Sequence, residues 1–309
     1  MTDNNIKEFT LLFSFFCESE IRRKYLDLCV KSLFEKMENY EIPVLVIDGS
    51  SKNHLLKNKE VFKNIYNLTY IEDSEKNQLK RIANNINFVQ TKYLFRVLED
   101  CVFINFNCNY IYKDIIVMEF DTQLNAIQYP ILNEQSYRIE NDTIYYNPIN
   151  FDKKNIFKIK DRKCYDRSDE IKIYYYLCNN LLYETNFFKK HTKLFSDYFY
   201  YHNSAESLNP DKGLISFLGH SKLARFITKI LFLFFFKSKI LKRIYVTETI
   251  NLLDVLHIGY ESTETNILSN PERELSSKQA DGTFSVIKNL KIFSNITRLK
   301  KMKFARETK

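Results

Sequence analysis

Acidic side chains follow two apolar segments in the first third of the chain. Asp48 comes directly after the apolar run 42–47, and Glu99 and Asp100 come directly after the run 93–98. Carboxylates in such places can coordinate a hard divalent cation of the Mg²⁺ or Mn²⁺ kind, because these ions prefer oxygen ligands. A carboxylate can also take the proton from an attacking hydroxyl group. Which chemistry applies depends on the elements that position these acids.

The first hundred residues alternate between two kinds of pattern. Apolar or aromatic runs, typical of buried strands, occupy 9–16, 42–47, 68–71 and 93–98. Helical spacing of apolar residues occupies 21–37 and 74–89. Strands that alternate with helices predict right-handed crossovers and an α/β fold with a mostly parallel sheet flanked by helices.

Polar groups follow three of the four predicted strands. Cys17 and Glu18 come after the first strand, 48–51 after the second, and Glu99 and Asp100 after the fourth. Parallel strands bring their carboxyl ends to one edge of a sheet, and ligands of such sheets bind there. The sequence therefore predicts a ligand crevice at this edge.

Past residue 105 the pattern is less regular. The segments expected in order are short strands at 117–151, a loop-rich stretch at 151–169, mixed or helical segments at 171–201, helices at 214–244, a strand or short helix at 252–258, and a polar, basic tail past 264. We place a boundary after residue 213, which divides the chain into 1–213 and a helical, basic C-terminal region, 214–309.

Composition excludes several classes of protein. The 309 residues are 45% hydrophobic and 27% charged, so the chain can bury a sizeable core and is not disordered throughout. Five Gly and five Pro exclude collagen-like and Pro-rich architectures. The six cysteines form no C-x-x-C pair and no His/Cys metal spacing, which argues against a zinc ribbon or redox dithiol. The apolar run 230–236 is far shorter than the roughly 20 residues of a membrane span.

The net charge of +8 is concentrated in the last third of the chain. Seven Lys or Arg and no acid occur at 214–247, and eight Lys or Arg with one acid occur at 284–309. Basic residues interleaved with Phe, Leu and Ile suit an anionic membrane surface, and a solvated basic face is the alternative. No nucleic-acid-binding module is recognisable, so no nucleic acid is expected as a partner.

Three segments carry a resemblance to a known family. They are "FTLLFSFF" at 9–16, "EIPVLVIDGSS" at 41–51 and "TKYLFRVLEDCVF" at 91–103. Together they resemble the opening of GT-A-fold (Rossmann-like) glycosyltransferases, especially the bacterial family-2-like ones. The resemblance implies a hexosyltransferase-type enzyme of polysaccharide biosynthesis, with a nucleotide-sugar donor and a saccharide or lipid-linked acceptor. With such acceptors, the basic, apolar C-terminal third leads us to expect a cytoplasmic protein, peripheral on the inner face of the cell membrane, where these acceptors are built.

The resemblance also assigns residues to the nucleotide and the metal. Asp48 stands where the family's Asp holds the nucleotide base or ribose. Glu99 and Asp100 stand where the metal-binding acids stand, and Cys101 replaces the usual last Asp. The nucleotide-binding residues we predict are Phe16, Cys17, Asp48, Ser50, Arg81 and Glu99.

Two later segments extend these assignments. "FSDYFYYHNSAESL" at 195–208 resembles the acceptor-side segment that ends in Glu-Asp, with Glu206 as the Glu and Ser207 in place of the Asp. Glu206 is the first candidate for the catalytic base of an inverting transfer and Asp211 the second. A retaining enzyme needs no such base. "VLHIGYES" at 255–262 resembles a His-X-Gly element and makes His257 a metal ligand beside Asp100, for Mn²⁺ or Mg²⁺.

Structural alternatives to these roles stay open. Asp48 precedes Gly49, a common turn pair in which Asp bonds nearby backbone, and Ser50 can cap a helix. Glu99 and Asp100 can form a solvated strand end. Arg96, inside the fourth predicted strand, either points to the crevice or marks a face open to water.

Two other functions compete with the transferase. A nucleotidyltransferase usually has a Gly-rich phosphate loop after the first strand, and "FCESEIRR" contains no Gly. A non-catalytic membrane-surface or assembly protein on a degenerate transferase fold is the other alternative, because Cys101 and Ser207 each stand where an acid is expected.

Overall fold

The computed structural model describes residues 9–37, 41–121, 124–129, 131–132, 137–140, 143–146, 156–159, 162–166, 181–198, 243–247, 253–257 and 298–301. Its α-helices are α1 (Glu20–Phe34), α2 (Lys52–Val61), α3 (Gln78–Asn85), α4 (Cys108–Phe120) and α5 (Thr185–Tyr198). Its strands are β1 (Phe9–Phe15), β2 (Val44–Asp48), β3 (Leu68–Glu72), β4 (Tyr93–Val97), β5 (Cys101–Phe106), β6 (Leu124–Gln128), β7 (Ile131–Leu132), β8 (Tyr137–Glu140), β9 (Thr143–Tyr146), β10 (Ile156–Ile159), β11 (Arg162–Asp166), β12 (Leu181–Glu184), β13 (Arg243–Thr247), β14 (Leu253–His257) and β15 (Arg298–Lys301).

A nine-stranded sheet organises the described residues, in the order β10-β11-β13-β6-β12-β4-β1-β2-β3. The unit β3-β2-β1-β4 is parallel throughout. β12 runs antiparallel between β4 and β6, whereas β13 runs parallel to β6. Two three-stranded sheets, β5-β14-β7 and β15-β9-β8, accompany it. The predicted α/β fold with a mostly parallel sheet flanked by helices is confirmed.

The central strands are buried along their whole length and mostly apolar because helices cover both faces. Every residue of β1, β2 and β4 is buried. One face of these strands, which includes Phe13 and Phe95, packs against apolar side chains of α1, α2 and α4. On the other face α3 packs on β1 and on α5. A parallel sheet covered in this way reads as continuous apolar runs, which is why the sequence located these strands.

Capping side chains set where two helices begin. The Ser19 side chain accepts a hydrogen bond from the Arg22 backbone N–H at the start of α1. Asn77 accepts from the backbone N–H groups of Leu79 and Lys80, so α3 begins at Gln78 rather than at residue 74 as predicted. A short 3₁₀ turn at Ile86–Phe88 follows α3.

Two expectations for the middle of the chain are corrected by the structure. Within the stretch 151–169, expected to be loop-rich, the described residues form the antiparallel strand pair β10 and β11. Residues 117–120 belong to the helix α4, which Asn107 caps, and not to a strand. In the segment expected to be mixed or helical, residues 181–184 form the strand β12 and the helix α5 follows. The strand β12 pairs with β4 and β6, which lie much earlier in the chain, so local sequence alone does not indicate it.

The described residues of the predicted helical region 214–309 are strands, and the segment 252–258, expected as a strand or short helix, contains the strand β14. β13 and β14 pair with β6 and β5 respectively, so they complete sheets begun in the first half of the chain. β15, in the predicted tail, pairs with β9. The helices expected at 214–242 lie outside the described residues. Among the helices that the structure describes, none is long and apolar enough to cross a membrane.

Candidate functional site

The carboxyl ends of the parallel strands β1 to β4 meet at one edge of the sheet. Hydrogen bonds join the loops that leave this edge. The Gly49 backbone N–H donates to the Phe15 carbonyl (2.9 Å), and the Asp73 N–H donates to the Asp48 carbonyl (3.0 Å). The Ser51 N–H donates to Glu18 Oε1 at 2.8 Å. The predicted convergence of the strand ends is therefore present, with the first three loops tied to one another.

Asp48 lies at the centre of this edge and is fully buried. Its Oδ1 accepts from the Ser50 backbone N–H at 2.8 Å. Its Oδ2 accepts from Asn58 Nδ2 at 3.1 Å and from the Tyr70 hydroxyl at 2.6 Å. Burial first, and then the charge and hydrogen bond of Asp48, raise the pKa of Tyr70. The carboxylate thus joins β2, α2 and β3.

Ser50 and Asn58 tie the β1 loop to the same network. Ser50 Oγ accepts from the Cys17 backbone N–H at 2.8 Å, and Asn58 Nδ2 donates to the Cys17 carbonyl at 3.1 Å. Ser51 precedes α2, but its side chain makes no capping hydrogen bond. The Cys17 side chain is buried, whereas its neighbour Phe16 is 36% exposed. Of the residues predicted at these two loops, Phe16 presents a surface to a ligand.

Arg81 is buried on α3, unlike its exposed neighbour Lys80. Its Nη1 donates to the Glu75 carbonyl at 2.8 Å and its Nε to Ser14 Oγ at 3.4 Å. The guanidinium lies directly on Gly49, where a Cβ atom would come within 1.9 Å of Nη1. Burial lowers the pKa of Arg81, and nearby carboxylates, Glu99 first among them, act in the opposite direction.

Glu99 and Asp100 form the turn between β4 and β5. Glu99 is only 13% exposed, and its Oε1 accepts from Arg22 Nη1 at 3.3 Å. Burial first, and then the charge of Asp100, raise the pKa of Glu99, whereas Arg22 and Arg96 act to lower it. Asp100 is partly exposed. Glu99 is therefore not a solvated strand end, and Arg22 ties it to α1.

Cys101 and His257 occupy opposite positions of one antiparallel pair. Cys101 begins β5, His257 ends β14, and the two residues are register partners. The fold thus brings the backbone of His257 beside the acid turn. Among the described residues no group of three His, Cys, Asp or Glu side chains is placed to hold a metal ion. Asp100 offers the hard oxygen ligand that Mg²⁺ or Mn²⁺ prefers, and a thiol such as Cys101 does not.

Arg96 is in β4, three residues before Glu99, and is 2% exposed. The alternative in which Arg96 marks a face open to water is therefore wrong. Its Nε and Nη1 are buried and have no hydrogen-bond partner among the residues that the structure describes. A buried guanidinium without partners is rare, because removing a charge from water is costly.

The remaining predicted residues lie elsewhere. Glu206 and Asp211, the candidate bases, fall outside the described residues. A groove of about 1140 Å³ runs between α1 and α2, bordered by Asp27, Lys31 and Glu60 among others, and neither Glu99 nor Asp100 lines it.

Sequence reasoning missed Asn58, Tyr70 and Arg22, all of which hold residues of the site. Asn58 is the buried polar residue of an otherwise mostly exposed helix, and Tyr70 lies in the partly exposed strand β3. Neither residue has a spacing that distinguishes it from ordinary surface positions. Arg22 follows the helix-capping Ser19 but contacts a carboxylate 77 residues away, which no local pattern shows.

No protein-family model and no curated protein sequence matches the chain. Among solved structures, it is similar to residues 1–349 of S. aureus TarS in complex with UDP-GlcNAc, with 12% identity, a TM-score of 0.48, and coverage of 93% of this chain and 66% of that one. It is also similar to the structure of S. aureus TarS, with 13% identity, a TM-score of 0.44, and coverage of 92% of this chain and 43% of that one. For the 4-diphosphocytidyl-2C-methyl-D-erythritol synthase of Anaerococcus prevotii the identity is 9%, the TM-score is 0.39, and the coverage is 85% of this chain and 94% of that one.

The chain thus spans less than two thirds of the TarS chains, and these likenesses are too distant to carry function. The fold class follows from the strand order itself. With the parallel unit β3-β2-β1-β4, the antiparallel β12 beside it and helices on both faces, the chain has a GT-A-like (Rossmann-like) α/β fold.

Proposed function

We propose that this chain is a glycosyltransferase that moves a sugar from a nucleoside-diphosphate donor to a glycan or lipid-linked saccharide acceptor. One observation carries the proposal. The edge formed by β1 to β4 brings together an exposed aromatic ring, Phe16, an acid turn, Glu99–Asp100, and a buried guanidinium, Arg81. In such a donor, the aromatic ring suits the base, the acid turn suits a metal ion bound to the phosphates, and the guanidinium suits the negative charge of the phosphates.

The loops at this edge suit recognition of a nucleoside. Phe16 is the aromatic surface on which a base can stack. Asp48, with three described donors on its carboxylate, acts by holding the loops after β1 and β2 in place. Ser50 and Cys17 belong to the same framework. Asp48 therefore contributes to nucleotide recognition indirectly, because it fixes the loop that carries Phe16.

A divalent cation, Mg²⁺ or Mn²⁺, belongs to this proposal. Asp100 would hold it together with oxygens of the donor, and His257 is the second candidate ligand. When bound, the cation would offset the negative charge that develops on the leaving diphosphate. Glu99 supports the turn through its ion pair with Arg22.

The acceptor side depends on residues outside the described part of the chain. Glu206, and after it Asp211, are the candidates for the base that takes the proton of the acceptor hydroxyl in an inverting transfer. A retaining transfer would leave both acids without that role.

Calorimetric titration tests the proposal. UDP, GDP, CDP, CMP and dTDP are titrated into the full chain with and without Mn²⁺, and then into Asp100→Asn. Asp27→Asn is the matched control, because Asp27 pairs with Lys31 on an exposed part of α1. We expect one nucleotide to bind in the micromolar range, Asp100→Asn to lose the metal-dependent part of the affinity, and Asp27→Asn to retain it. The corresponding nucleotide sugar is then tested for sugar release or transfer.

Each alternative function predicts its own result, and nucleoside triphosphates are titrated in the same way to test the nucleotidyltransferase. Absence of binding by any nucleotide, with or without metal, contradicts the proposal and favours a non-catalytic assembly protein. Tight binding of a nucleoside triphosphate, with release of pyrophosphate in the presence of a sugar phosphate, would instead establish a nucleotidyltransferase.

A further inference from the structure

Arg96 is a buried cation without a described partner. It lies in the central strand β4, is 2% exposed, and has two nitrogens, Nε and Nη1, that are buried without a hydrogen bond among the described residues. No described carboxylate lies within ion-pair distance of Arg96 or Arg81; Glu99 pairs with Arg22 instead. A buried charge is costly unless it is paired and hydrogen-bonded, so this arrangement points to an anion.

Arg96 and Arg81 lie on the same face of the sheet. Arg96 is the register partner of Leu12 in β1, and Ser14, two residues further along β1, shares that face. Ser14 Oγ accepts from Arg81 Nε at 3.4 Å. Two buried arginine residues therefore belong to the same face of the sheet beside β1, one on β4 and one on α3.

Both guanidinium groups interact electrostatically with Glu99 of the acid turn. Glu99 acts on the pKa of Arg81, and Arg96 acts on the pKa of Glu99. Asp48, Asp73 and Glu75 also act on Arg81, whereas no described carboxylate forms an ion pair with Arg96. Arg96 is therefore the cation of this pair that still lacks a described anionic partner.

We propose that Arg81 and Arg96 form a buried two-arginine site that contacts the diphosphate of the donor directly, so that part of the affinity for the diphosphate remains when the divalent cation is absent. The inference rests on the proposed function for the identity of the ligand. Guanidinium groups suit a diphosphate because their planar donors pair with two phosphate oxygens at once. Because Arg96 is covered, binding is coupled to a local opening, and we expect association slower than for an open site.

The test uses the full chain in EDTA, with pyrophosphate and UDP as probes and thermal unfolding and calorimetry as measurements. The variants are Arg96→Met, which keeps the apolar stem, and Arg96→Lys, which keeps the charge without the planar fork. Lys92→Met is the control for net charge, because Lys92 is exposed and pairs with Glu119 on the surface.

We expect pyrophosphate and UDP to raise the unfolding temperature of the unaltered chain in EDTA. Arg96→Met should weaken pyrophosphate binding about 10- to 100-fold, as for loss of a charge-assisted hydrogen bond, and Arg96→Lys less. Without ligand, Arg96→Met should unfold at the same temperature as the unaltered chain or higher, because it removes an unpaired buried charge. Lys92→Met should keep the response to both probes.

Three results would overturn the inference, and they separate it from the proposed function. If UDP binds only with metal and pyrophosphate has no effect in EDTA, the two-arginine site is wrong and the nucleotide site remains. If Arg96→Met loses stability and keeps the pyrophosphate response, Arg96 is structural. If neither probe binds under any condition, both proposals fail. Binding of pyrophosphate with no further gain from UDP supports the anion site and contradicts the nucleotide donor.

Discussion

At the level of single residues, Asp48 shows how one carboxylate can organise several elements. Its two oxygens accept from Ser50, Asn58 and Tyr70, which belong to a loop, a helix and a strand. A buried carboxylate with such partners costs much more to disrupt than a surface acid, because Ser50 and Asn58, two of the three donors, are also buried. We therefore expect substitutions in this network to affect stability and ligand binding together.

The Tyr70→Phe variant tests this network. It removes the hydroxyl that donates to Asp48 at 2.6 Å, and hydrogen bonds to charged groups contribute about 1.5–3 kcal/mol. We expect a loss of unfolding free energy of about that size at neutral pH, measured by urea denaturation. Tyr66→Phe is the matched control, because Tyr66 is fully exposed and should change the unfolding free energy little.

The pH dependence of the same variant has a definite sign. The pKa of Tyr70 in the folded protein is raised above its usual value of 10.0. Its contribution is therefore fully present below pH 10 and declines above it, as unfolded tyrosine ionises while folded Tyr70 does not. The difference between the unaltered chain and Tyr70→Phe should narrow as the pH rises past 10. A constant difference would show that Tyr70 is not protected in the fold.

At the level of elements, the site depends on contacts between the loops and the helices that follow them. Arg22 on α1 holds the acid turn after β4. Arg81 on α3 lies on Gly49 in the loop after β2. These contacts cross between elements 30 or more positions apart in the chain. The crevice is thus shaped by helix placement as much as by the strand ends.

The Gly49→Ala variant tests the contact between the loop and α3. An added Cβ would lie 1.9 Å from Arg81 Nη1, so the guanidinium must move. Overpacking of this kind costs about 1–3 kcal/mol, and displacement of Arg81 should also weaken nucleotide binding. Urea denaturation and UDP titration measure the two effects.

A double variant shows whether Gly49 acts through Arg81. The Arg81→Met variant has no guanidinium for an added Cβ to displace. In that background, Gly49→Ala should therefore lower the unfolding free energy by less than it does in the unaltered chain. Equal costs in the two backgrounds would mean that the strain lies in the backbone of the loop instead of in the contact with Arg81.

At the level of the whole molecule, charge is distributed unevenly along the chain. The net charge is +8, and seven basic residues without an acid occur at 214–247. The strands β13 and β14 carry parts of the C-terminal third into the sheets of the first half. Because the basic C-terminal third shares sheets with the first half of the chain, a membrane contact of this region is tested on the full chain.

Vesicle binding tests the membrane contact. We expect the full chain to sediment with vesicles that contain phosphatidylglycerol and not with vesicles of phosphatidylcholine alone. Each basic residue near an anionic surface contributes about 1 kcal/mol, and salt screens the attraction. Binding should therefore fall as the salt concentration rises. Equal binding to both kinds of vesicle, or none to either, would contradict an electrostatic contact.

Local sequence was sufficient for the parallel half of the sheet and for the position of the acid turn. The strands β1, β2 and β4 are buried along their whole length and mostly apolar because they are covered on both faces, and the polar residues Asp48 and Glu99 stand at or just after their carboxyl ends. The sequence alone therefore predicted which kinds of side chain lie at this edge, namely an acid turn and an aromatic residue.

Tertiary structure decided how those groups are used. The tertiary structure places Asp48 at the centre of a buried network, pairs Glu99 with Arg22, and buries both Arg96 and Arg81. It also inserted β12 between β4 and β6 and returned β14 to β5. These outcomes depend on contacts between residues far apart in the chain, and such contacts produce no periodic pattern in the local sequence. Helical spacing and apolar runs report which face of an element is buried, but not which distant side chain will meet it there.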